Sequence, residues 1–189
     1  MEVEITSKRR LLDDFFKVEE VWLKHKTYAG DMSSPMRVLS FERGNSVAAI
    51  LWHKERQAFL LIEQFRYPTL AAGYGWVMEC VAGGVKPEED PLWAVKREIE
   101  EETGFSASNV RLLSEFFVSP GGSTERILLY FGEISDSQQI GLGGGLKEEL
   151  EDIKMIFLSP QQVREALAQR KIVDAKTIIG LMLAQPLIS

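Results

Sequence analysis

The sequence predicts an α/β or α+β fold around a mixed sheet, and three observations carry that expectation. Runs with strand character fill the middle of the chain, as in SVAAILWHKE, AFLLIEQFRY and ERILLYFGEI. A helix with stop and start signals at both ends interrupts them, over about residues 91–103, and two more capped helices close the chain. At 189 residues and 45% hydrophobic, the chain can bury one core and carry a small appendage.

In chain order, FFKVEEVWLKHKTY and MRVLSFERG, with AGDMSSP as the break between them, predict two or three antiparallel strands. They hold too little apolar mass to fold alone. Residues 1–43 are therefore expected to form a β-region that leans on residues 44–189 or on a partner chain. Two strands follow across the polar KERQ turn, and WVMECVAGG reads as a third. VRLLSEFFVSP and ERILLYFGEI flank SPGGST. A glycine-rich acidic loop, IGLGGGLKEELED, then leads to the strand IKMIFL. Ser159, Pro160 and Gln162 make a capping box with proline at the first helical position, and Asp174 caps a last helix that stops at Pro186. Trp76, Phe116 and Phe117 are expected in the core, and Trp93 against a neighbouring strand or partner.

Composition excludes several classes of function. A net charge of −6 argues against nonspecific nucleic-acid binding, which needs a basic surface. No run of about 18 apolar residues is present, and MEVEITSKRRLLDDFF has acids where a signal peptide has its apolar centre, so a cytoplasmic, membrane-free protein is expected. The one cysteine, Cys80, cannot close an internal disulfide and reads as an inert core residue. With two histidines, His25 and His53, both isolated and without an expected catalytic role, a zinc site has too few ligands. Any metal here would be hard and bound by oxygen.

GGVKPEEDPLWAVKREIEEETGF, residues 83–105, is where such oxygen ligands concentrate. Asp90 and Pro91 suit the N-cap and first helical position, and Gly104 suits the turn after the last. Leu92, Val95 and Ile99 mark the buried stripe. Glu98, Glu101 and Glu102 share another face, with Glu98 and Glu102 about 6 Å apart along an axis rising ~1.5 Å per residue. Like charges at this spacing repel by about 0.2–0.5 kcal/mol per pair. A solvated charged face tolerates that; a bound divalent cation such as Mg²⁺ offsets it. Arg97 can reach Glu101 one turn on and the region of Glu89 about two turns back.

The fixed residues of this stretch, Gly83, Glu89 and Arg97-Glu98-Ile99-Glu100-Glu101-Glu102-Thr103-Gly104, resemble the signature box of the Nudix hydrolases. The resemblance implies an α/β/α sandwich around a mixed sheet, with a small antiparallel β-region at the N-terminus, and cleavage of a diphosphate linked to a second moiety. It also implies that Glu98, Glu101 and Glu102 hold Mg²⁺, or Mn²⁺ in its place, with the carbonyl of Ala82 as a further ligand and Glu101 close to the chemistry. Gly83, Glu89, Arg97 and Gly104 would support the loop and helix. Gly83 and Gly84 would let the backbone approach the diphosphate.

SPGGSTER, with Pro120 sixteen positions after Gly104, resembles the ADP-ribose pyrophosphatase branch. So does LLIEQFRYP, whose arginine is Arg66. Pro120, Gly121, Glu125, Arg126 and Arg66 are the expected substrate contacts. GGGLKEELEDIKM resembles the loop that supplies a catalytic glutamate, with Glu149 ahead of Glu151 and Glu148. The glycines at 143–145 resemble the GDP-mannose and UDP-sugar hydrolases. The expectation is an ADP-ribose pyrophosphatase that works as a homodimer through its N-terminal strands. A broader nucleotide-sugar hydrolase and a non-catalytic nucleotide sensor are the alternatives.

Overall fold

Nine-residue strands that are apolar at nearly every position are buried on both faces, and this is what the middle of the chain becomes. A computed structural model describes residues 1–188. β4 (Asn45–His53) turns its alternate residues to opposite sides. Val47, Ala49 and Leu51 enter one core cluster. Ala48, Ile50 and Trp52 enter another. β5 (Ala58–Phe65), β6 (Trp76–Glu79), β7 (Val81–Gly84), β8 (Ser108–Phe117), β9 (Arg126–Ile134) and β10 (Ile153–Leu158) complete a seven-stranded mixed sheet, in the order β10-β5-β4-β9-β8 with β6 on β5 and β7 on β4. Helix α1 (Pro91–Thr103) places Ala94, Val95 and Ile99 in the first cluster. α2 (Pro160–Ala168) and α3 (Ala175–Ala184) place Val163, Ala166 and Leu181 in the second. The result is the expected α/β/α layering.

Local signals set the helix ends. Asp90 accepts from the N–H groups of Leu92 and Trp93, and Gly104 closes α1 in the left-handed region at φ 72°. The Ser159–Gln162 capping box is present in both directions, and Asp174 caps α3.

β1 (Val3–Asp13), β2 (Lys17–His25) and β3 (Met36–Glu42) form a separate antiparallel three-stranded sheet. Glu19 and Glu20 of β2 lie buried beneath basic neighbours: Lys8 and Arg10 reach Glu19, and Arg9 and Arg37 reach Glu20. The chain divides into two compact units, Met1–Asn45 with Phe117–Arg126, and Ser46–Phe116 with the segment from Ile127 onward. Among the described residues no helix is long and apolar enough to cross a membrane.

Four expectations need correction. WVMECVAGG is two strands rather than one: at Cys80 the chain leaves β5 for β4, and the Cys80 N–H is donated to Thr177 Oγ1 at 2.7 Å. Leu92 is 36% exposed, so the buried side of α1 is Ala94, Val95, Ile99, Glu102 and Thr103. Trp76 and Phe117 stand at strand ends, 52% and 55% exposed, and only Phe116 packs on a core cluster. His53 is not isolated: it is fully buried, edge-on to Phe105 and Phe157.

Candidate active site

α1 meets β7 where Gly83 leaves room. A Cβ on Gly83 would overlap the Glu98 carboxylate, so the missing side chain makes space for an acid. Gly84 has open space around it. Arg97 ties the helix to the loop before it: Nε and Nη2 donate to the two oxygens of Glu89 at 3.0 and 3.2 Å, and Nη2 also to the Gly84 carbonyl at 3.3 Å. Its Nη1 donates to Glu98 Oε1 at 2.8 Å and to Glu101 Oε2 at 2.9 Å. With the Lys86 N–H also donating to it, Glu89 is held down to a pKa of about 2, chiefly by Arg97.

Glu102 lies deeper, 2% exposed, and its Oε2 has no hydrogen-bond partner. Burial pushes its pKa well up, Glu98 and Glu151 push the same way, and the Ala82 N–H and Arg66 oppose them. Burial likewise raises Glu98, against Arg97. A buried orphan oxygen flanked by two more carboxylates fits a hard divalent cation held by oxygen ligands.

The loop after β9 docks on the end of α1 through its glycines. Gly144 and Gly145 donate N–H groups to the carbonyls of Glu102 and Glu101 at 2.9 and 3.1 Å, and Ile140 and Gly141 donate to Gly104 at 2.8 and 3.0 Å. Side chains on Gly104 or Gly143 would collide with the facing backbone, and one on Gly145 would collide with Glu151. The run Gly143–Gly145 therefore closes the carbonyl end of α1 and seats Glu151, whose Oε2 accepts from the Leu146 N–H at 2.9 Å. Glu149 is exposed on the short turn Lys147–Glu149. A cleft of about 240 Å³ gathers Lys86, Arg97, Glu98, Glu101, Glu149 and Glu151. Glu148 does not line it.

Arg66, at the end of β5, grips Glu79 with Nε and Nη2 at 2.8 and 3.1 Å. Lys176 donates to Glu79 Oε2 and Asp174 Oδ1, both at 2.9 Å. Sequence reasoning missed Glu79 and Lys176 and read Asp174 only as a cap. The available signal was Glu79 itself, an acid inside the apolar run WVMEC. Pro120, Gly121, Glu125 and Arg126 belong to the other unit. There Arg43 pairs with Glu125 at 3.7 Å, Arg126 donates to Asn45 at 3.3 Å, and the SPGG turn lines an apolar groove of about 300 Å³ with Val38, Leu39 and Phe117. Among the described residues, the histidine and acid group that draws its ligand atoms within 4.8 Å of one another is His53, Glu55 and Asp136, none of them in the stretch 83–105. Arg56 already donates to Asp136 at 3.2 Å.

A helix that carries clustered glutamates, braced by one arginine and closed by a glycine loop, offers the oxygen ligands that suit a hard divalent cation. Residues 42–178 match the NUDIX domain family model. The chain therefore belongs to the Nudix hydrolase family. It is 32% identical to an ADP-ribose pyrophosphatase of Haemophilus influenzae, over 97% of this chain and 86% of that one. GDP-mannose pyrophosphatases of Enterobacter sp. and Citrobacter koseri are 30% and 32% identical, covering 98% and 95% of this chain and 96% and 93% of theirs. A crystal structure of an ADP compounds hydrolase superposes with a TM-score of 0.77 at 17% identity, over 100% of this chain and 95% of the other, which supports the fold.

Proposed function

We propose that this protein, a nucleoside-diphosphate-sugar pyrophosphatase, hydrolyses the diphosphate of ADP-ribose to AMP and ribose 5-phosphate with Mg²⁺, for which Mn²⁺ can substitute. The observation that carries the reading is the cleft in which Glu98, Glu101, Glu149 and Glu151 face one another beside buried Glu102. Glu98, Glu101 and Glu102, with the Ala82 carbonyl, would hold the cation. When bound, it would supply positive charge that offsets the repulsion between the acidic site and an anionic diphosphate.

The chain's own residues do the rest. Arg97 orients Glu98 and Glu101, and Glu89 holds Arg97. Arg66 contacts the substrate's diphosphate. Glu149 takes a proton from the attacking water, whose oxygen bonds to one phosphorus as the anhydride P–O bond breaks; Glu151 is the alternative base. A positioned base of this kind adds ~10²–10⁴-fold. Glu149 is favoured because Glu151 is tied to the Leu146 N–H.

The relatives named GDP-mannose pyrophosphatase favour a second reading, hydrolysis of GDP-mannose by the same site, with UDP-glucose as a further member of the same substrate class. A non-catalytic nucleotide sensor fits less well, because every box carboxylate is in place. The protein is further proposed to be a cytoplasmic homodimer joined through its N-terminal strands, whose outward Ile5, Leu11, Leu12, Trp22 and Leu39 suit a second copy. The discriminating experiment compares kcat/KM for ADP-ribose, GDP-mannose and UDP-glucose side by side with Mg²⁺. ADP-ribose should lead by at least about tenfold, a difference of about 1.4 kcal/mol in transition-state binding; a lead for either of the others overturns the assignment.

A further inference from the structure

We infer that Glu79 is a positioning residue that holds Arg66 in a fixed pose for the substrate's diphosphate. The inference rests on the proposed contact of Arg66 with that diphosphate. Glu79 ends β6 at the Cys80 step and is 4% exposed. Both of its oxygens are used: Oε1 accepts Arg66 Nε, and Oε2 accepts Arg66 Nη2 and Lys176 Nζ. This grip takes one edge of the guanidinium. Among the described residues Nη1 donates to no partner, so the opposite edge is left to a ligand, and the charge of Arg66 is felt at Glu102. A guanidinium already locked on one edge gives up little side-chain freedom when an anion arrives.

A purely structural tie explains the arrangement less well. Buried ion pairs give little net stability compared with apolar packing. The join between α3 and the sheet is already made without Arg66, because Asp174 caps Thr177, and Thr177 Oγ1 takes the Cys80 N–H. Lys176, gripped by Glu79 and Asp174, balances the second negative charge. What Glu79 adds beyond that join is the orientation of Arg66.

The test is a double-mutant cycle with Glu79→Gln, Arg66→Ala and the pair, read as kcat and KM on ADP-ribose and GDP-mannose with Mg²⁺. Glu79→Gln should raise KM about tenfold and leave kcat within about threefold, and it should add less than about twofold once Arg66 is alanine. Arg66→Lys, which keeps the charge but cannot make the forked contact, should match Glu79→Gln and sidesteps any folding defect from the buried site. Equal losses from Glu79→Gln in both backgrounds, or a wild-type KM in Arg66→Lys, would overturn the inference. If the wild type turned over neither nucleotide, the functional reading would fail by itself. The same cycle read as ADP affinity by calorimetry would then decide the role of Glu79, with additivity or absent ADP binding counting against it.

Discussion

Glu102 is a side chain whose burial is costly for the fold, and in the proposed reaction it is a ligand of the cation. It is buried, Oε2 lacks a partner, and Glu98 and Glu151 surround it. Glu102→Gln should remove divalent-dependent turnover by at least about 100-fold, since several kcal/mol of charge stabilisation is lost. In EDTA the same variant should melt higher than the wild type, by about 2–4 °C per kcal/mol regained. A lower Tm for the variant would show that the carboxylate is not under strain. Glu89 behaves oppositely. Its folded pKa of about 2 lies below the ordinary 4.5, so its contribution to stability is complete above pH 4.5 and fades as the pH falls toward 2. Glu79 is held low as well, with Arg66 and Lys176 overcoming its burial. Melting curves from pH 6 to pH 3 should therefore fall less steeply for Glu89→Gln than for the wild type.

Between elements, the site depends on close approaches that only glycine permits. Gly145 sits at φ 82° with the Glu151 side chain where its Cβ would be. Gly145→Ala should displace Glu151 and, by shifting the same loop, the proposed base Glu149, and so lower kcat by about tenfold or more, with a stability loss of ~1 kcal/mol for the left-handed backbone; unchanged kinetics would detach the loop from the site. The helix caps at Asp90, Gly104, Ser159 and Asp174 were legible in the sequence because each signal lies within a few residues of its effect. So was the brace of α1, since Glu89, Arg97 and Glu101 lie within a few turns. The break at Cys80 was not, because the acceptor of its N–H is 97 residues away. The Glu79–Lys176 pair was hidden for the same reason, and Arg66 meets Glu79 only through the pairing of β5 with β6. The apolar runs indicated strands but not which of their ends stay exposed, hence the misplaced Trp76 and Phe117. The triple glycine resembles the GDP-mannose and UDP-sugar hydrolases in sequence; what the sequence did not show is its local task, closing α1 and seating Glu151.

For the whole molecule, the three-stranded sheet leaves β1 exposed along its length and keeps large apolar side chains outward. Isolated exposed apolar residues are ordinary, but a set of this kind on one small sheet suits a partner surface. Light scattering should give twice the chain mass of 21.4 kDa, and Leu12→Glu with Leu39→Glu should lower it toward one chain; a monomeric wild type would refute the dimer. In the proposed reaction the acidic helix and its loop direct water onto a phosphoanhydride. The most direct test is hydrolysis in ¹⁸O-enriched water with and without Mg²⁺, with products identified by mass. Mg²⁺-dependent release of a nucleoside monophosphate and a sugar phosphate is expected, one of them carrying a single ¹⁸O; unlabelled products, or equal turnover in EDTA, would refute the proposed reaction.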